Sequence, residues 1–389
     1  MVAATRHRSR VAAPFSALVE DDMQISNWWC AVLLVPASAL AQVSPHRIEL
    51  IAGDPAARVS PQLRISGPWP NTCVPELLPV FVDGPNIDVS VRQEGEICGQ
   101  AITQYAVTVD PAAANGFGRA PDGIYRVRFS VKDAASQGTL LAFRVVDMTP
   151  ASSRRLSPEP GFWAPDVAGE FLTSGSGIGF MIERQGSTLA MTTNTYTLGG
   201  NAAWYLSAGT LGRSHFNGDL LRSIGGQPLW GTYRGPQSVE PAGSVDIEFS
   251  SNSSGVVWYA KASGEGILDP LDLMPVSVQR MNFALPANGE ALAGLWLISG
   301  TDGSAAAPTS LRLSYQRELS SAREAVLADS AKGYQMRCTI DAARADAAPA
   351  NCRLTRNGTP AGEFDNNGLS RLSGRGLAGE ALVMVRIGD

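Results

Sequence analysis

Between Gly161 and Phe283 the chain reads GFWAPDVAGEF, GIGFMIERQGSTLA, NTYTLGGNAAWYLSAG, HFNGDL and VSVQRMNF, short segments parted by glycine turns. Side chains that alternate in character every second residue put one apolar face on a strand and none on a helix. The alternation predicts strands at residues 178–184, 188–197, 202–207, 215–221, 245–250, 256–261 and 276–281. In the first of these, Ile178, Phe180 and Ile182 face one way and Gly179, Met181 and Glu183 the other. A meander of such strands closes most simply as a β-barrel or a curled sandwich.

The same period runs through residues 87–91, 105–109 and 124–131 upstream, bounded by Pro, Gly and Asp. About a hundred residues with several strands and one cysteine pair predict an immunoglobulin-like sandwich over residues 42–150. The turn Pro121-Asp122-Gly123 and the Ile-Tyr-Arg-Val after it resemble a strand start common in such bacterial domains, and GPWPNTCVP (67–75) resembles the N-terminal sandwich of secreted bacterial proteins. Trp69 is expected in the core or against the disulfide, with a ligand platform as the alternative. Residues 151–160, polar and proline-bearing, read as a linker, 161–285 as the barrel-like module and 286–389 as a C-terminal β-rich region, either separate or part of the same module. The overall expectation is an all-β protein.

Five cysteines constrain the compartment. Cys73 with Cys98 and Cys338 with Cys352 form two sequence-local pairs, and Cys30 lies in an apolar run that ends in Ala39-Leu40-Ala41. That ending is the small-residue pattern cleaved after a signal peptide, so residues 1–41 are read as an export signal, with Met23 as an alternative start. Removing Cys30 leaves an even count for an oxidising space. A periplasmic or secreted protein without a membrane span in the mature chain is the expectation, since the apolar run is shorter than the ~20 residues that cross a bilayer.

A set of landmarks resembles a recurrent β-rich module of secreted bacterial proteins without an assigned activity. They are Gly161-x-Trp163, the Gly177-x-Gly179-Phe180-x-Ile182-Glu183-x-Gln185-Gly186 run, Trp204-Tyr205, Phe216-x-Gly218-x-Leu220 and Arg280-x-x-Phe283. The resemblance implies a secreted β module. It departs from the module at Leu189–Thr195, where aromatic residues are usual. Leu-Ala-Gly-Leu-Trp296 reads as a degenerate second start of the same module, and residues 320–328 as either a helical turn or a strand.

Composition and motifs mainly exclude. A net charge of −5, with Lys132, Lys261 and Lys332 the three lysines and no basic block, disfavours nucleic acid, which needs clustered cations. Beyond the leader the histidines are His46 and His215. Ser214 adjoins His215, but strand neighbours face opposite ways, so no nucleophile–base pair is expected. No metal or cofactor set is legible either. The glycines at 374, 376 and 379 read as a turn, as do those at 175–179. Glu183, Asp219 and Glu248 are the carboxylates a hydrolase would use.

The aromatic pairs Trp204/Tyr205 and Trp258/Tyr259, with Trp230 and Tyr233, are the candidate ligand-binding residues. In each pair one ring faces the core and one faces out, and Trp204 is the ring expected inside, beside Phe180 and Ile182. The reading is a non-enzymatic binding or surface-interaction protein whose partner is a surface component or a small amphipathic ligand. Two alternatives are a carrier of that ligand in the central barrel and a hydrolase.

Overall fold

The computed structural model describes residues 44–53, 59–93, 97–114, 123–132, 138–149, 156–166, 179–197, 199–281, 289–300, 308–341 and 348–388. The segment read as an export signal with Cys30, the Pro121-Asp122 turn, half of the segment read as a linker, Gly175–Gly177 and Phe283 lie outside them.

The first strands build a two-sheet sandwich. One sheet has the order β1 (Arg47–Ile51), β2 (Gln62–Trp69), then β6 (Thr103–Val109). The other is centred on β5 (Asn86–Arg92), which pairs with β3 (Glu76–Leu77) and β4 (Phe81–Asp83) on one side. On its other side it runs parallel to β7 (Ile124–Lys132), followed by β8 (Thr139–Asp147). Leu63, Ile65 and Trp69 from the first sheet meet Ile87, Val89 and Val127 from the second, all fully buried. Trp69 stands edge-on to Tyr105 at 5.5 Å, so it is a core ring. The Cys73–Cys98 disulfide joins the loop after β2 to the loop after β5.

Next comes an eight-stranded antiparallel meander closed on itself: β9 (Gly161–Pro165), β10 (Gly179–Gln185), β11 (Thr188–Tyr196), β12 (Ala202–Thr210), β13 (His215–Ile224), β14 (Ser238–Phe249), β15 (Ser254–Ala262) and β16 (Leu271–Arg280). Strand β9 closes the ring by pairing with both β10 and β16. Every strand expected from the alternation in this region is present, and the barrel alternative is the one realised.

The C-terminal region closes a barrel of its own. Its strands are β17 (Gly294–Gly300), β18 (Thr309–Tyr315), β19 (Glu324–Asp329), β20 (Tyr334–Thr339), β21 (Asn351–Arg356), β22 (Thr359–Asn367), β23 (Arg371–Arg375) and β24 (Ala381–Gly388). Residues 324–329 are therefore strand, preceded by a single 3-10 turn at Arg317–Leu319. The second disulfide links Cys338 to Cys352, directly opposite each other on β20 and β21 inside this barrel.

Both barrels begin in the same way. Gly161 and Gly294 take φ of +119° and +138°, and a Cβ at either would lie 2.7 or 2.8 Å from a guanidinium nitrogen of Arg280 or Arg386. Two residues on, Trp163 and Trp296 are completely buried, and each indole N–H donates to the carbonyl four residues earlier, Glu159 at 3.0 Å and Leu292 at 2.8 Å. The arginines sit on the last strand of each barrel, in register with those tryptophans. Glycine, ring and arginine thus plug one end of each cylinder. The degenerate second start is a structural repeat.

The plugged ends face each other. Glu159, 4% exposed, accepts hydrogen bonds from the backbone N–H of Leu369, Ser370 and Arg371 and from the Ser370 hydroxyl, at 2.7–3.0 Å. Beside it, Asn252 and Ser253 bond Asn366 and Asn367.

The sandwich packs on the outer wall of the first barrel. Phe143 and Val145 meet Ala260 and Leu271 there, and Phe143 lies 5.0 Å from Trp258. Asp246, fully buried in this seam, accepts from the N–H of Val145 at 2.9 Å and from Asn217, with Arg144 at 3.7 Å. Burial raises its pKa, which Arg144 and the two hydrogen bonds counter.

Candidate functional site

The interior of the first barrel differs between its two ends. At the plugged end Trp163 stacks on Phe180 at 6.0 Å and meets Phe249 edge-on at 5.8 Å, with Phe216, Leu189 and Leu211 also buried. Toward the other end, formed by the 197–201, 225–237 and 263–270 connections, Thr193, Tyr205 and Tyr259 face inward beside the aliphatic Leu220 and Val245. Burial pushes the Tyr259 hydroxyl up to about 12, with the Thr193 hydroxyl nearby opposing the shift. Ser207, one inward position below Tyr205, is fully buried and its hydroxyl has no hydrogen-bond partner.

Register fixes which ring of each pair points inward. Thr193 is opposite Tyr205 and Asn194 opposite Trp204, so Tyr205 shares the face of Ser207 and packs on the core, while Trp204 is half exposed outside. The expectation that Trp204 lies beside Phe180 and Ile182 is corrected by this pairing. Ser207 and Gly218 are small inward residues of β12 and β13 packed close to the Phe216 ring; a Cβ on Gly218 would sit 2.1 Å from Ser207 Oγ and 2.8 Å from that ring. Tyr205→Ala is expected to cost about 2 kcal/mol and Trp204→Ala within about 0.5 kcal/mol. Denaturant midpoints of the two variants measure the difference, and equal losses would contradict the assigned faces.

The other candidates are dispersed. Trp258 points outward into the sandwich seam, with the Arg126 guanidinium 5.0 Å above its ring, and so supports domain packing. Tyr259 points inward. Trp230 and Tyr233 lie on the 225–237 connection, 93% and 79% exposed, with Leu229 beside them at 83%. That connection is held by its own hydrogen bonds. Arg234 donates from its backbone to Gln227 and from its guanidinium to Gly226 O, Gly231 N–H bonds Pro228 O, and Gln237 N–H bonds Ile224 O. Tyr196 and Trp204 lie on the outer wall of β11 and β12, both about half exposed. The six candidates therefore form a rim, two inner rings and one seam residue.

Sequence reasoning missed a cluster that crosses the seam. Ser214 Oγ donates to Asp147 Oδ2 at 3.2 Å, and His215 Nδ1 lies 3.9 Å from the same oxygen. Both side chains turn to the carboxylate, whereas a nucleophile–base pair requires the hydroxyl on the imidazole. Burial lowers the His215 pKa, with Arg144 adding to the shift and Asp147 opposing it. The partner is 67 residues away on another domain, and nothing in the local pattern announces it.

The three carboxylates are separate on the barrel exterior. Glu183 and Asp219 are exposed on β10 and β13, three strands apart around the wall, and Glu248 pairs with Arg126 at 2.9 Å. Among the described residues no three His, Cys, Asp or Glu side chains gather as a metal site, and no helix is long and apolar enough to cross a membrane.

The architecture defines a class: a β-sandwich docked on the first of two eight-stranded meander barrels joined at their plugged ends. Compared with family models, curated proteins and solved structures, the chain matches none.

Proposed function

We propose that this chain is an exported, non-enzymatic binding protein that engages a surface component through the aromatic rim of its first barrel. The observation that carries this reading is the 225–237 connection, which is held by internal hydrogen bonds yet leaves Leu229, Trp230 and Tyr233 almost fully in solvent. Burying one large apolar side chain contributes roughly 1.5–3 kcal/mol, so three left out on an ordered loop mark a contact surface. The same connection carries Gln227, whose side-chain oxygen accepts the Arg234 N–H, and Gln237, and Ser238 follows it. That mixture suits the neutral face of a saccharide, which offers C–H groups to a ring and hydroxyls to amides. Export is supported by the leader-like segment and by both disulfides, and the immunoglobulin-like reading of the sandwich by its two sheets packed around Trp69.

The test is retention on immobilised envelope polysaccharide. Trp230→Ala/Tyr233→Ala is expected to weaken retention at least tenfold with an unchanged melting temperature. Equal retention of the double variant would sink the reading. The packed interior around Trp163, Phe180 and Phe249 favours a rim site over a carrier, while Tyr205 and Tyr259 in the upper half keep the carrier as a second reading. A small amphipathic ligand that protects those two rings from modification, with the rim variant unaffected, would favour it.

A further inference from the structure

The second barrel has an open end too, and its chemistry is of another kind. A cavity of about 470 Å³ opens there between the β19–β20 and β21–β22 turns, lined by Thr309, Ser330, Lys332, Tyr334, Arg356 and Asn357 among others. Two cations line it, and no carboxylate does among the described residues. Asp329, which precedes the lining residues in sequence, is 5% exposed, and its oxygens already accept the backbone N–H groups of Lys332 and Arg312 at 3.1 and 2.9 Å.

Among the described residues neither cation has an acidic partner. Lys332 Nζ donates to the carbonyl oxygen of Ser310 at 2.5 Å and contacts its hydroxyl at 3.2 Å. The Arg356 guanidinium lies 5.4 Å over the ring of Tyr334, the residue directly opposite it across the ladder. Stacking occupies the flat face of a guanidinium and leaves its N–H edge, which is the edge that grips a planar or tetrahedral oxyanion in two places. The cavity wall is also preformed. Asn357 adopts φ of +49°, its N–H bonds Gly333 O at 2.7 Å, and its side-chain oxygen lies where a Cβ on Gly333 would be. Fixing the two turns in this way removes part of the ordering cost of binding.

We propose that the open end of the second barrel is an oxyanion site, in which Arg356 and Lys332 receive a carboxylate or phosphate group and Thr309, Ser330 and Asn357 supply neutral hydrogen bonds around it. In a chain of net charge −5, two cations lining one cavity are a local reversal of sign that favours an anionic group. The site lies on the other barrel from the aromatic rim and does not depend on it.

Titration of the isotope-labelled full chain with inorganic phosphate, and separately with glucuronate, at constant ionic strength is the test. At least one of the two probes is expected to bind saturably at ~1 mM or tighter, moving the amide signals of residues 330–334 and 356–358. Phosphate alone would assign the site to phosphorylated groups, and glucuronate alone to acidic sugars. Lys332→Gln and Arg356→Gln should each weaken binding about tenfold while Arg356→Lys recovers only part of the loss. Lys332 sits on an exposed turn, so its variant remains informative if Arg356→Gln lowers the melting temperature. No saturable shift with either probe, or unchanged affinity in Lys332→Gln, would overturn the assignment.

Discussion

Trp163→Ala is expected to destabilise the first barrel by about 3–5 kcal/mol, the usual cost of deleting a large buried aromatic ring. The indole is completely buried, stacks on Phe180, meets Phe249 edge-on and donates to Glu159 O, so truncation opens a cavity and leaves a carbonyl without its donor. Trp296→Ala should cost the second barrel a similar amount, because the same ring, glycine and arginine close its end. Denaturant unfolding followed by exchange at amides of each barrel would separate the two. If Trp163→Ala left exchange in β9, β10 and β16 unchanged, the ring would not be the plug described.

Glu159→Ala is expected to cost at least about 3 kcal/mol and to uncouple the two barrels. One carboxylate accepts three backbone N–H groups and a hydroxyl from the turn after β22, and each buried donor left unmatched costs roughly 1–3 kcal/mol, less whatever water recovers. Glu159→Gln keeps an acceptor oxygen but loses the charge that strengthens these bonds, so it should fall between wild type and alanine. Hydrogen exchange at Leu369, Ser370 and Arg371 reads the effect directly. Unaltered protection there in Glu159→Ala would show that the turn holds its shape without the carboxylate.

Much of this fold can be read along the chain because strand alternation is a local property. Phe180 and Ile182 lie inside the barrel, with Met181 and Glu183 outside, as their spacing predicts. The disulfide partners were legible from count and proximity. The second barrel was half legible, since Gly294-Leu-Trp296 repeats Gly161-Phe-Trp163, but the closing arginine, Arg386, lies some ninety residues downstream and is recognisable only once β24 pairs with β17.

The candidate site was less legible. Alternation states that Trp204 and Tyr205 face opposite ways, and the pairing of β12 with β11 decides which of them faces in. Exposure of Trp230 and Tyr233 depends on where the 225–237 connection leaves the barrel. Glu159, Asp246 and the Ser214–Asp147–His215 cluster carry no local mark at all, because their partners are 29 to 212 residues away.

What the sequence by itself determined is the all-β class, the order of strands and the cysteine pairs, since each follows from residues within a few positions of one another or from an even count. Tertiary structure alone decided that the strands close as two barrels, which rings point inward, and that Lys332 and Arg356 line one cavity. Closure and register arise from hydrogen bonds between strands whose sequences do not specify their partners. A shift of one residue would exchange the buried face for the exposed one, so a site assembled from several strands exists only after every register is set.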